Sequence, residues 1–571
     1  MPAESVGMTG DQNINAILSG VKWSGTVVTY GWPLAASEYG TGDDYDQTYD
    51  HDNNPATPDV TVNESDGFFA LNPMQQAAVE AAFLEFRRVT NMSALRQEPA
   101  AGADIRVAMS TTMEPGATTA YAAYPSDTQF GGDSWFTTAN YNTPRLGTFA
   151  YQTFFHEMGH ALGLKHGHET DNGNMNVMTA ARNSLEFSTM TYADYIGQPT
   201  GAGSSVTSGH SPQTFMMYDI AALQHMYGAD FTDGAHSGAT VYWFDPNNGQ
   251  TVVNGVGQGI PQNDAGTNVN VIFRTIWDGG GSDTYDFSAY GADRQLDVDL
   301  APGSWTDVDS DSNFQAADLD RTDPGTEIAR GQIFNALLYN GDTRSLIENA
   351  IGGFGDDWIK GNQAQNHLQG RDGRDILEGF DGADTLDQGA GGGELYGGNG
   401  SDVLWASEGV DWIDGGNDFD IVNYSRSTAE IVIDPTIGKV AGGWAFNDTL
   451  ISIEGVVGTS KNDNIALGNE DNQIWGGGGA DGLNGGAGND DLEGGLGADL
   501  FVFKAGDGAD RISDFVVDTD HLLLNGITIG STSEIDGNSD GVLDTLVTFS
   551  GGGTALLSGV TGVTDPGDLI A

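Results

Sequence analysis

His156, Glu157, His160 and His166 stand in one run, His156-Glu157-Met158-Gly159-His160-Ala161-Leu162-Gly163-Leu164-Lys165-His166, and four of the 10 histidines (156, 160, 166 and 168) fall in or beside it. On a helix, residues four apart lie one turn along the same face, so His156 and His160 can hold one metal ion. Glu157 sits beside them without being a ligand, where its carboxylate can take a proton from a water on that metal. Gly163 lets the chain leave the helix and swing His166 round as a third donor. Three neutral imidazoles with one open position make a catalytic zinc site, and zinc lowers the pKa of its water toward about 7. The five-residue core HExxH recurs by chance in unrelated chains. The eleven-residue form with Gly163 and His166 is far more specific.

A second pattern offers oxygen instead of nitrogen. Frames of nine begin at 352, 361, 370, 379, 388 and 397, and again at 458, 467, 476, 485 and 494. The eighth residue of each is apolar: Ile359, Leu368, Leu377, Leu386, Leu395 and Leu404, then Ile465, Ile474, Leu483, Leu492 and Phe501. The sixth is Asp357, Asp375, Asp384, Asp402, Asp463, Asp481, Asp490 or Asp499, with Asn366 and Asn472 as softer substitutes and Gly393 as a break. Glycines let the backbone turn tightly so that carbonyls converge on an ion, and the sixth-position carboxylate completes the shell. The eighth residue points inward and stacks successive coils into a parallel β-roll. This pattern resembles the RTX calcium repeat, GGxGxDxUx.

The elements that must carry these residues are legible in part. Thr26–Tyr30 reads as a strand, followed by an acidic loop rich in Asp, Asn and Pro. A helix starts at the Asn72 cap with Pro73 in its first turn. Residues 131–136 read as a strand and 148–162 as a second helix; a third follows Ser211-Pro212 and ends at Gly228. Residues 1–235 are therefore expected to form a mixed α/β catalytic domain, and 236–350 a β-rich transition with an acidic insertion at 302–330. The first roll block is placed at 351–405, an intervening β segment at 406–457, the second block at 458–502 and a C-terminal β segment at 503–571.

Composition narrows the chemistry further. Across 571 residues, 81 acidic against 21 basic side chains give a formal net charge of −60. That argues against nucleic-acid phosphates and anionic membranes, and suits a protein that gathers divalent cations; a solvated acidic surface is compatible with the same numbers. With 0 cysteines there are neither disulfides nor a thiolate zinc site, so extracellular stability would have to come from bound metal. The N-terminal residues lack the basic-then-apolar pattern of a cleavable signal, and no run is long and apolar enough to span a membrane. Asp536–Asp544 alternates oxygen ligands around a glycine, as either a calcium loop or a polar turn; Asp307–Asp311 reads as a solvated loop.

The eleven-residue signature is that of the metzincins, and the chain resembles the serralysin metalloproteases of peptidase family M10 over most of its length. Phe187-Ser188-Thr189-Met190-Thr191-Tyr192 looks like the Met-turn, with Met190 as an apolar floor under the zinc. Residues 17–23 look like the family's N-terminal segment, 132–136 like its substrate-binding edge strand near Trp135, and 219–224 like its last catalytic-domain helix. Residues 277–284 and 347–352 look like its entry into the roll. The resemblance implies an α/β metzincin catalytic domain followed by an all-β parallel β-roll, acting as a zinc-dependent endopeptidase on protein and peptide substrates. It implies one catalytic zinc on His156, His160 and His166, Glu157 as the proton carrier, and Tyr192 as a group that can ligate the resting metal and then stabilise the oxyanion. Several structural calcium ions would sit on Asp278, Asp283 and the repeat aspartates. It further implies a monomer exported by a type I apparatus, to which the tail Asp568-Leu569-Ile570-Ala571 and the absent cysteines conform. Gly167-His168 departs from the family's Pro-Gly, and His168 could compete for the metal. Two other classes stay open: a calcium-dependent surface or adhesion protein whose head does not cut, and a zinc hydrolase acting narrowly or on something other than protein.

Overall fold

The computed structural model describes residues 1–39, 46–49, 60–112, 120–170, 174–232, 236–434 and 438–571; most of the expected acidic loop before residue 60 lies outside them. The chain forms two compact units, one of Met1–Ala289 with Asp299–Ile347 and one of Tyr290–Val298 with Glu348–Ala571.

In the first unit a sheet runs in the order Ser93–Arg96, Val27–Gly31, Ile105–Ser110, Ser134–Thr137, Ala120–Ala122, parallel except for the last strand. Helix Pro73–Val89 starts where expected. The Asn72 carboxamide accepts from the amides of Met74 and Gln75, and Gln75 reaches back to the Asn72 amide. Helix Phe149–Ala161 is capped by the Thr148 hydroxyl. Both lie on the sheet through stacked rings, Tyr30 on Phe83 at 4.0 Å and Phe136 on Phe154 at 4.1 Å. The third helix, Met217–Tyr227, begins later than Ser211-Pro212 suggests. The Gln213 amide is already bonded to the Phe273 carbonyl, and the Asp219 carboxylate caps the Met216 amide. Much of the expected transition folds with this unit: Val271, Phe273, Trp277, Ala317, Leu319 and Phe334 share the core of the helices. The Asp307–Asp311 stretch is not a solvated loop, since Val308 and Asp309 are buried and Asp309 accepts from the Ser312 hydroxyl at 2.6 Å.

In the second unit each turn of the roll takes two nonads. Strands His367–Gln369, Thr385–Asp387, Val403–Trp405 and Ile421–Asn423 stack in parallel register on one side. Trp358–Lys360, Asp375–Asp381, Gly393–Asn399 and Asp411–Asn417 stack on the other. All eleven eighth-position residues are buried, and so are Ile413 and Val422. The nonads thus run past 405 through Asp411-Trp412-Ile413 and Asp420-Ile421-Val422. The first sheet continues directly into the second block, Val422 facing Val456 and Val456 facing Ile474. The opposite sheet is interrupted between Thr449–Ile451 and Val432–Asp434. The intervening segment is thus partly roll.

Gly393 does not weaken the stack. Its frame carries Gln388 where every other expected frame but the one at Leu467 has glycine, and the Gln388 side chain, fully buried, donates to the carbonyls of Gly392 and Asp375. A Cβ on Gly393 would meet Gln388 Nε2 at 2.3 Å, so the two exchanges compensate each other.

Leu386 is fully buried in the column Leu368–Leu386–Leu404. Leu386→Ala should destabilise the calcium-loaded roll by about 2–5 kcal/mol in urea unfolding, while Thr385→Ala on the outer surface costs well under 1 kcal/mol.

Candidate metal centres

The Nε2 atoms of His156, His160 and His166 lie 3.0, 3.0 and 3.1 Å from one another. That separation is close to what three nitrogens about 2 Å from one ion require. Each ring is aimed by its other nitrogen. His156 Nδ1 is 2.8 Å from the Thr189 carbonyl, His160 Nδ1 2.8 Å from the Leu164 carbonyl and His166 Nδ1 2.8 Å from Glu169 Oε2. A carbonyl only accepts, so the proton sits on Nδ1 of the first two rings and the Nε2 lone pairs face the common point. Burial first, then the neighbouring imidazole, holds His156 down at about 3 and His160 well below its usual range. Both are neutral at physiological pH. Three neutral nitrogens without a carboxylate fit zinc and not calcium.

Local sequence explains the aim. Gly163 has φ +103°, and a Cβ there would meet the Val21 carbonyl at 2.4 Å, so glycine lets the chain turn out of the helix toward His166. Met190, fully buried, puts its sulfur 2.7 Å from where a Cβ on Gly159 would lie, directly behind the two helical histidines. The Met-turn is held by Asp219. One carboxylate oxygen accepts from the Ser188 hydroxyl at 2.6 Å, the other from the Thr189 amide at 2.7 Å and hydroxyl at 2.9 Å. Thr189 in turn orients His156. His168 is outside the convergent set; its ring lies against His166 and Tyr192, at 5.5 and 4.7 Å between centroids.

Glu157 is 4% exposed, and no protein donor reaches its Oε2. Burial pushes its carboxyl up to about 8. It lines a cleft of about 370 Å³ together with His156, Gln152, Tyr192, Asp194 and Ser204. Tyr192 is 45% exposed with its ring 4.3 Å from that of His166.

The roll aspartates divide into two kinds. In Asp375, Asp384 and Asp402, Oδ1 accepts the amide of the sixth residue 18 positions back, at 2.7–2.8 Å, and Asp481, Asp490 and Asp499 repeat this at 2.8–2.9 Å. Oδ2 of all six is buried with no protein donor in reach. It lies over the first glycine of its frame: a Cβ on Gly370 would meet Asp375 Oδ2 at 2.2 Å. Asp420, outside the expected frames, has the same arrangement. Rows of buried carboxylate oxygens beside converging carbonyls fit calcium. Asp357 and Asp463, which open the two blocks, instead have both oxygens on backbone amides. Asp278 takes the Gly280 amide and the Tyr242 hydroxyl, and Asp283 the Thr240 amide. Asp544 accepts from the amides of Gly537, Asn538 and Gly559, so the Asp536–Asp544 loop is a turn clasped by its own backbone.

Comparison with known proteins places both halves. The model of the reprolysin-like metallopeptidases (family M12B) matches residues 72–167, and that of the peptidase M10 serralysin C terminus matches 235–314. The RTX calcium-binding nonapeptide repeat matches six segments in two overlapping groups, within 351–422 and 457–513. Serralysin B of Dickeya chrysanthemi is 32% identical over 311 residues, 52% of this chain and 55% of that protein. Serralysin of Proteus mirabilis is 33% identical over 261 residues, 44% of each. Metallopeptidase AprA of Pseudomonas marginalis is 28% identical over 336 residues, 57% of this chain and 61% of that protein. Over these segments the chain is similar to the serralysin metallopeptidases. It spans about half the length of the curated relatives it matches.

Within this serralysin-like frame one expectation is corrected. Strand Ser134–Thr137 is not an edge: it lies between Ile105–Ser110 and Ala120–Ala122, with Trp135 1% exposed. Among the described residues the outermost strand on that side is Ala120–Ala122, and Ala120 lines the cleft. Three residues not singled out by sequence also shape the site. Glu169 orients His166, Asp219 anchors the Met-turn, and Asp194, 4% exposed, binds the Ser205 hydroxyl at 3.0 Å and so closes the cleft wall. That wall is backed by the acidic insertion. Its residues 317–329 fold back on themselves, Asp318 bridging Ile328, and join the Ser205 carbonyl through the Arg321 amide at 2.7 Å. Arg330 grips Glu186 with two nitrogens, at 3.0 and 3.1 Å.

Two outcomes follow from this geometry. Asp219→Ala leaves the Ser188 and Thr189 donors unpaired in a buried site and should destabilise the head by roughly 2–4 kcal/mol, with faster loss of zinc to a chelator. In the roll, burial raises Asp375 to about 8, Asp384 and Asp481 to about 7 and Asp402 to about 6, from 3.8. Raised carboxyls take up protons on folding, so without cation this stability is full below about pH 4 and is lost as pH climbs through about 6–8. With calcium chelated, the melting temperature of the roll should fall between pH 5 and 8; in millimolar calcium it should rise over the same range. Asp384→Asn with Asp402→Asn should flatten both slopes in circular-dichroism melts.

Proposed function

We propose that the chain is a secreted, calcium-stabilised zinc endopeptidase that hydrolyses internal peptide bonds of extracellular proteins. The observation that carries this is the convergence of three Nε2 lone pairs beside a buried Glu157, in a cleft flanked by the outer strand Ala120–Ala122. His156, His160 and His166 hold the zinc, which when bound supplies Lewis acidity toward a carbonyl oxygen and toward a water. An extended substrate main chain pairs with the Ala120–Ala122 edge, which fixes the scissile bond over the histidines. Glu157, as the carboxylate, takes the proton of the attacking water and hands it to the leaving amine nitrogen; burial raises its proton affinity and so strengthens it as the base. The Tyr192 hydroxyl donates to the oxyanion of the tetrahedral intermediate.

Calcium is held in the roll by Asp375, Asp384, Asp402, Asp420, Asp481, Asp490 and Asp499, with Asp357 and Asp463 as the opening rungs and Asp278 and Asp283 as a further site. The catalytic site belongs to the unit of Met1–Ala289 with Asp299–Ile347, and export by a type I apparatus as a monomer suits a roll whose buried carboxylates call for external calcium. No helix among the described residues is long and apolar enough to cross a membrane.

Hydrolysis of casein in millimolar calcium by the wild type and by Glu157→Gln tests the reading. The variant should lose about 10²–10⁴-fold in kcat with its zinc content unchanged, and Tyr192→Phe about 10²-fold in kcat with KM little altered. A folded, zinc-loaded wild type that cleaves neither casein nor a peptide library would refute the endopeptidase and favour a calcium-dependent binding protein.

A further inference from the structure

The outward face of the first roll block carries a shallow groove of about 380 Å³ lined by Trp358, Glu378, Phe380, Glu394 and Tyr396. The register places these side chains. Trp358, Ile376, Glu394 and Trp412 follow one another across four adjacent strands, and Lys360, Glu378, Tyr396 and Asp414 form the next column. Trp358, Phe380 and Trp412 are 41%, 48% and 42% exposed. The roll itself does not need them. On the corresponding strands of the second block the outward residues are Asn464, Ala466, Gly482 and Asn484, and the coils stack equally well.

Phe380 adds an independent observation. It has φ +75°, while the residues in register with it, Gly398 and Gly416, adopt φ +112° and +105°. A bulky side chain in the left-handed region costs roughly 1–2 kcal/mol that glycine would avoid; Arg371, at the same place in the preceding frame, shares that backbone with φ +81°.

Charge identifies the occupant. Elsewhere on the roll, exposed rings recruit the chain's own scarce cations: Arg371 lies 4.4 Å from the Phe354 ring and Arg426 4.1 Å from that of Trp405. In the groove Lys360 lies 3.5 Å over Trp358, while among the described residues no cation lies over Phe380 and Tyr396, or over Trp412 on the next strand. Beside them stand Glu378, which accepts from Trp358 Nε1 at 3.0 Å, Glu394, which accepts from the Tyr396 hydroxyl at 2.8 Å, and Asp414. Arg374 lies 3.9 Å from Glu394, and Lys360, across the strand from Glu378, is bonded to Asp297 at 2.6 Å. Aromatic faces interleaved with carboxylates attract ammonium and guanidinium groups by cation–π and ionic contact together. We infer that this groove docks an extended, lysine- and arginine-bearing polypeptide segment of another protein. Trp358 and Trp412 lie three strand steps apart, roughly 14 Å, which about four extended residues span.

The test uses the full chain folded in calcium and a ten-residue peptide of alternating lysine and serine, with binding followed by calorimetry. Trp412→Ala, and separately Glu378→Gln with Glu394→Gln, should weaken binding at least tenfold; a charge-matched control, Glu408→Gln with Glu430→Gln, should change it less than twofold. Phe380→Gly should also weaken binding while leaving the melting temperature unchanged or higher, an outcome no purely structural role would give. Equal loss in control and groove variants would overturn the inference in favour of diffuse attraction to a chain of charge −60. Binding of a neutral glucose hexasaccharide that Trp412→Ala abolishes, with the peptide unaffected, would overturn it in favour of a glycan site.

Discussion

A buried carboxylate that bonds one oxygen to the neighbouring coil and leaves the other without a protein donor is an unstable arrangement by itself. The roll repeats it at Asp375, Asp384, Asp402, Asp420, Asp481, Asp490 and Asp499. The Oδ1 bond fixes the spacing of coils; the Oδ2 atom then requires either a proton or a cation. As pH climbs through about 6–8 these carboxyls give up the proton, and a hard dication is then the partner that lets the backbone stack and the apolar column close. The composition agrees: a chain with 81 acidic residues and 0 cysteines has neither disulfides nor internal countercharge to hold such a fold.

The head solves the same aiming problem with nitrogen. An imidazole can rotate, and three of them converge only if each is held from behind. Backbone carbonyls of Thr189 and Leu164 hold two and the Glu169 carboxylate holds the third. Those acceptors depend on the shape of the chain around them: the left-handed turn at Gly163 brings Leu164 under His160, and Asp219 fixes Thr189 beside His156. The motif in the sequence is therefore the visible part of a larger device, whose other half lies in a turn about 30 residues later and in the first turn of another helix.

How much was legible follows from what kind of signal each part leaves. Residues that must recur at fixed spacing, the histidines on one helix face and the Asp-x-apolar rungs of the roll, can be read directly. Residues defined by a partner far along the chain cannot: nothing near Asp219 signals that it will meet Ser188. The edge strand went wrong for a related reason. Ser134-Trp135-Phe136 looks like a strand and is one, but its apolar side chains are buried on both faces, the mark of an interior position, while Ala120-Tyr121-Ala122 is too short and bland to stand out. The rung at Asp411 is hidden because Ala406-Ser407 begins a frame where two glycines are expected, although Asp411 and Ile413 keep the phase; the next frame, from Gly415-Gly416 to Asp420 and Val422, carries the repeat openly.

The compensation at Gln388 and Gly393 shows what the roll selects for. The glycine at the head of a frame exists to make room for the sixth-position carboxylate; where the carboxylate is gone, the room is filled from the other side by an amide that donates to two carbonyls. Volume and hydrogen bonding are conserved while the ion-seeking oxygen is not. Stacking and cation binding are thus separable requirements that happen to coincide in most frames. The stack tolerates any group that fills the space and satisfies the backbone, so an aspartate found there with its second oxygen unpaired reflects a demand for the ion and not for the fold alone.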